Sequence, residues 1–176
     1  MDKIIELIGN RLKRFNLSLY PEGSGTFDFI VSDEAGVKMP VYIISPTGYD
    51  SDLPKSPYGI QTACSFKIPV PRGPSHPHLL IFNFQNKGSG KIRLLMMETQ
   101  DFPVLIGKKC RAPATDGSFK MDICELEGNL VYDTTDISAE GLWYFVGGLM
   151  GDTIGMDITC NLNRWDKIVD FFKPKE

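Results

Sequence analysis

Histidine and tryptophan are nearly absent from this sequence, with two copies of each. So little imidazole leaves few ways to build a catalytic or metal centre of the usual kinds, since His76 and His78 lie in no recognisable catalytic motif. The four cysteines, Cys64, Cys110, Cys124 and Cys160, are separated by 45, 13 and 35 residues. No close pair of the kind used by zinc sites or thioredoxin-like motifs is present, so they read as reduced, mostly buried thiols. Long apolar runs are missing too. The longest, Leu142 to Met150, has nine residues, about half the length of a membrane-spanning helix, and predicts no membrane partner. An excess of positive charge is also lacking: 19 Lys and Arg against 22 Asp and Glu give a net charge of −3, which excludes a strongly basic nucleic-acid binder. Met1-Asp2-Lys3 leads directly into an amphipathic segment without the pattern of a secretory leader, and a cytoplasmic location is expected.

What is present is the composition of a folded chain. Hydrophobic residues make up 42% and charged residues 23% of 176, enough for one core and one domain spanning 1–176. Residues 3–15 set Ile4, Ile5, Ile8, Leu12 and Phe15 on one helical face and Lys3, Glu6, Asn10, Lys13 and Arg14 on the other. Strands are expected over 17–20, 26–32 and 39–45. Eight of the twelve prolines fall between Pro40 and Pro77, which predicts loops around one short strand at 61–68. The clearest hairpin follows, 79–84 and 92–97 around Asn86 to Gly90, and a second is expected around Glu127-Gly128-Asn129. The segments Pro103–Ile106 and Gly155–Cys160 read as further strands, and 139–150 as a short helix. Asn163 is expected to cap a last helix with Trp165, Ile168, Val169 and Phe172 on one face. The fold class is therefore α+β, with a mixed or mostly antiparallel central sheet and an amphipathic helix at each end.

Chemistry-bearing patterns are few. Gly88-Ser89-Gly90-Lys91 invites a phosphate-loop reading, but Gln85 and Ile92 stand where that loop needs Gly and Ser or Thr, and a hairpin turn fits better. His76 and His78 would face one side of an extended segment, yet no third ligand is indicated, and loop histidines are the expectation. Lys87, Lys91 and Arg93, with Lys108, Lys109 and Arg111, form a local basic strip if their two loops adjoin, the surface expected for a nucleic acid or protein partner. The polar aromatics Tyr42, Tyr49, Tyr58, Trp143 and Tyr144 are candidates for a small-ligand pocket, or enzyme site, of unidentified chemistry.

Glu6 in the first helix, the Pro21–Gly25 turn and Asp28 in Phe27-Asp28-Phe29-Ile30-Val31 resemble the start of the PD-(D/E)XK nuclease-like fold. That resemblance implies a helix Glu, a strand Asp and a Glu/Gln-x-Lys converging on magnesium, where the metal activates water. Asp28 matches the metal-ligand position and Glu6 the helix carboxylate. The strand that should carry Glu/Gln-x-Lys reads Val41-Tyr42-Ile43-Ile44-Ser45, with Lys38 at its neighbouring end. The implied protein is a degenerate, non-cleaving member: a binding or accessory module, of a type found in mobile elements, that recognises a protein or nucleic acid without a cofactor. Apart from the resemblance, a homodimer is open to any such binder through a sheet edge or aromatic surface, a choice the sequence does not decide.

Overall fold

A computed structural model describes residues 2–22, 28–50, 59–68, 77–101, 114–135 and 156–174. Helix α1 (Asp2–Leu12) runs on into a 3-10 turn, Lys13–Phe15, which Asn16 closes in the left-handed conformation. Three strands follow: β1 (Ser18–Pro21), β2 (Phe29–Ser32) and β3 (Lys38–Ile44). The chain continues through β4 (Gly48–Tyr49), β5 (Ile60–Ile68), β6 (Leu79–Gln85) and β7 (Ile92–Glu98). Strands β8 (Phe119–Leu126), β9 (Leu130–Asp133) and β10 (Met156–Asp157) precede the closing helix, α2 (Trp165–Phe171). The strand expected at 103–106 and the helix expected at 139–150 lie outside the described residues.

The strands form two sheets, ordered β1-β2-β3-β6-β7 and β10-β9-β8-β5-β4. The first is mixed, because β3 and β6 run parallel, while every pairing in the second is antiparallel. A parallel pair needs a crossover. Here the chain leaves β3, lays β4 and β5 into the second sheet, and returns as β6, so the crossover passes through the other sheet. The mixed sheet is thereby the central layer, with both terminal helices on one face and the antiparallel sheet on the other.

Side-chain alternation accounts for the layering. In β6, Leu79 and Ile81 join the helix-side core with Ile8, Leu12, Val31, Val41 and Ile168. Their neighbours Leu80, Phe82 and Phe84 join the inter-sheet core with Phe66, Met121 and Ile123. A strand covered on both faces is mostly apolar: six of the seven residues of β6 are buried, and the one polar side chain among them, Asn83, donates to the Ile44 carbonyl at 2.9 Å. Phe82 and Phe66 meet edge to face across the sheets, their ring centroids 5.2 Å apart. The β8–β9 turn takes positive φ at Gly128 and Asn129, residue types that adopt it at little cost.

Edges are short or blocked. The amide of Glu22 donates to the carbonyl of Asp28 at 2.9 Å, and the two-residue alternation of this pairing turns the backbone of Leu19 and Pro21 outward. Pro21 has no amide, so the free side of β1 offers little to an incoming strand. Beside β7, Leu162 bridges Leu95 and the amide of Asn163 donates to the carbonyl of Leu94 at 2.7 Å. Asn163 thus serves the β7 edge and does not cap α2 with its side chain. Arg164 occupies the cap position without a side-chain capping bond, and its guanidinium reaches Asp166 instead. Among the described residues, no helix is long and apolar enough to cross a membrane.

Candidate functional site

Asp28 lies just before β2, which begins at Phe29. Its Oδ2 accepts the amide hydrogen of Ile43 at 3.3 Å, on the stretch of β3 that extends beyond the start of β2. The carboxylate thus continues the ladder where the strand has not yet begun. Burial pushes its pKa above the ordinary Asp value, and the Ile43 hydrogen bond opposes that shift. Burial, and then the nearby Asp28 charge, raise the Tyr42 pKa. Glu6 is exposed on α1, whose buried face packs against Val31, Met39 and Val41, whereas Tyr42 packs into the opposite, inter-sheet layer. Among the described residues, no group of three or more His, Cys, Asp or Glu comes together as a metal site.

The six basic residues of the expected strip have different surroundings. Lys108, Lys109 and Arg111 lie outside the described residues. Lys91 is exposed, and the Lys87 ammonium stands 5.0 Å from the ring centroid of Tyr49. Arg93 is turned inward: its Nε donates to Glu125 Oε1 at 2.8 Å and a terminal nitrogen donates to Asn129. Glu125 is fully buried, and its Oε2 has no hydrogen-bond partner among the described residues. This pair ties the two sheets together, so Arg93 is not part of an open basic face. The Lys87–Lys91 segment is a hairpin turn whose amides are largely engaged within the fold. Lys87 N donates to Thr62 Oγ1 at 2.7 Å, Ser89 N to Asn86 Oδ1 at 2.7 Å, and Gly90 N to the Asn86 carbonyl at 2.7 Å. His76 lies outside the described residues; the His78 ring packs tilted against Phe171 with centroids 4.6 Å apart, a packing role rather than that of a free loop residue.

A different basic surface is assembled along α1. A groove of about 530 Å³ runs between this helix, β7 and the start of α2. Ile92 and Leu94 of β7 form its apolar floor, and Trp165 closes one side. The helix contributes Lys3, Leu7, Asn10 and Arg11 and its 3-10 extension Arg14, all exposed, with Glu6 as the one carboxylate among the described lining residues. These residues occupy the flank beside the Ile4, Ile8 and Leu12 face, so docking that face presents the cations at the groove. Asn163 fixes the other wall, because its amide is anchored on β7 and its carbonyl accepts from Trp165 N at 2.9 Å. The Arg11 guanidinium lies 5.8 Å from the Trp165 ring centroid and 5.9 Å from that of Phe15. No salt bridge joins Lys3, Arg11 or Arg14 to an acidic partner among the described residues.

This groove was not evident in the sequence, because its walls come from positions 3–14, 92–94 and 163–165. Arg11 and Leu7 carry the missed signal: a cation and an apolar residue on the shoulder of the buried helical face. The thiols are placed differently. Burial pushes both Cys64 and Cys124 up to about 12, so neither is a nucleophile near neutrality, and Cys160 is exposed. Cys110 lies outside the described residues. Compared with protein-family models, curated proteins and solved structures, the chain has no match.

Proposed function

We propose that the chain is a non-catalytic binding module whose partner docks on the basic groove along α1. One observation carries this reading: Lys3, Arg11 and Arg14 stand around an apolar, indole-walled groove, with one carboxylate among them, on a chain whose net charge is −3. Like-signed charges gathered against the sign of the whole molecule favour an anionic partner and steer its approach. The position of Lys3 adds to this. The first turn of a helix favours acidic groups, so a lysine there works against the helix dipole and has no local stabilising role. The engagement of Asp28 with the Ile43 amide supports the non-catalytic part of the reading. On the PD-(D/E)XK resemblance the chain is a non-cleaving relative.

Titration of the ¹⁵N-labelled chain with oligoglutamate and with a single-stranded DNA oligomer, at low and high salt, tests the proposal. Shift changes from at least one probe are expected at residues 3–14, 92–94 and 163–165, fading as salt rises. An unchanged groove with both probes overturns the proposal. So does magnesium- or manganese-dependent cleavage of DNA or RNA that Asp28→Ala abolishes.

A further inference from the structure

Resting on that reading, we infer that the groove takes an acidic amphipathic helix of a partner protein. Three observations select this occupant over other anions. The first is shape. From Lys3 to Arg14 the cations follow one flank of α1 and its 3-10 extension for about 16 Å, taking roughly 1.5 Å per helical residue, which is the length of a three-turn helix laid alongside. The second is the state of the backbone around the groove. A partner strand would need free amides and carbonyls, but the β7 edge here is taken by Asn163 and Leu162. The β1 edge is interrupted by Pro21. The groove therefore presents side chains, and the accessible Leu7, Ile92 and Trp165, over the buried Leu94, suit apolar residues at i, i+3/i+4 and i+7 of an incoming helix.

The third observation is charge. Three cations give a slope of about −2.7 in log K against log salt on duplex DNA, too few contacts for firm phosphate-backbone binding against a net charge of −3. The rings of Trp165 and Phe15 are already faced by Arg11, which takes away the open stacking platform that single strands use. Carboxylates flanking an apolar stripe match both features at once. They reach Lys3, Arg11 and Arg14 while the stripe covers Leu7 and the floor.

The test compares three labelled probes by fluorescence anisotropy with the full chain. One is a peptide of about three to four helical turns, made of Leu, Glu and Ala, with leucines at i, i+4 and i+7 and glutamates on both flanks. The second has the same residues scrambled to destroy the stripe, and the third is a single-stranded DNA oligomer. The amphipathic peptide is expected to bind about tenfold more tightly than either of the others. Arg14→Glu is expected to weaken it by about tenfold, while Lys120→Glu, on the outer face of the second sheet, leaves it unchanged. Equal affinity for the scrambled peptide, or tighter binding of DNA, overturns the helix inference and leaves the binding-module reading standing. No binding by any probe, with the groove resonances unmoved, overturns both.

Discussion

The central sheet has two faces, and they treat charge in opposite ways. Toward the second sheet, Arg93 and Glu125 are drawn inward and paired, and Phe66, Phe82, Met121 and Ile123 fill the layer around them. Toward the helices, Ile8, Leu12 and Ile168 close the layer only in part, leaving Arg11, Arg14 and Lys3 exposed beside an open groove. An arginine on β7 and an arginine on α1 thus have unlike roles. The inward one is held because removing it strands a buried carboxylate, whereas the outward ones can be exchanged with little effect on folding. The difference separates where stability resides from where recognition is proposed to reside.

Truncation in the inter-sheet layer tests that separation most severely. Phe82→Ala removes a fully buried ring in contact with Phe66 and is expected to cost about 3–5 kcal/mol in urea denaturation. A cost below about 1 kcal/mol would mean that the two sheets are not packed as described. Next comes the ion pair. Arg93→Ala leaves Glu125 buried without its counter-charge, at an expected cost of about 3 kcal/mol, and Arg93→Met combined with Glu125→Leu is expected to recover most of it. If the double variant is as unstable as the single one, the pair is not the unit of stability.

Much of this arrangement was legible in the sequence. The helices at both ends, the β6–β7 and β8–β9 hairpins and the strand at 60–68 follow from period, turn residues and proline placement. The buried pair left a fainter trace: Arg93 shares an alternation with Leu95 and Met97, and Glu125 with Met121 and Ile123, so each is the single charge on an apolar face. The division into two sheets was not legible, because the parallel partnership of β3 and β6 is set by a crossover through β4 and β5, which periodicity within a strand does not encode. Asp28 read as a strand residue facing a site; its use of the Ile43 amide depends on β3 running past Val41, the partner of the first β2 residue, Phe29. The groove left even less, since three distant segments build it.

Asp28 gives a smaller effect with a pH signature. Its native pKa is raised, so the folded state keeps the proton at a pH where the unfolded chain has released it. Stability is therefore expected to fall as pH rises from the ordinary Asp value of 3.8 through the native pKa, and to level off above it. In thermal melts, Asp28→Asn removes that part of the pH dependence while keeping an acceptor for the Ile43 amide. Asp28→Ala also loses the hydrogen bond, at about 1 kcal/mol. A pH dependence unchanged in Asp28→Asn would assign the slope to other carboxylates.

The smallest effect on folding is the sharpest test of the contrast between the two faces. Lys3 lies in the first turn of α1, where the partial positive charge of the helix terminus disfavours it. Replacing it by glutamate puts the favoured sign at that terminus, so Lys3→Glu is expected to leave stability unchanged or raise it by about 0.3–1 kcal/mol. The same change lowers the charge of the groove by two units and is expected to weaken the acidic amphipathic peptide several-fold. Stability and binding then move in opposite directions from one substitution. A loss of both together would make Lys3 part of the fold, and the helix face would no longer differ in kind from the inter-sheet face.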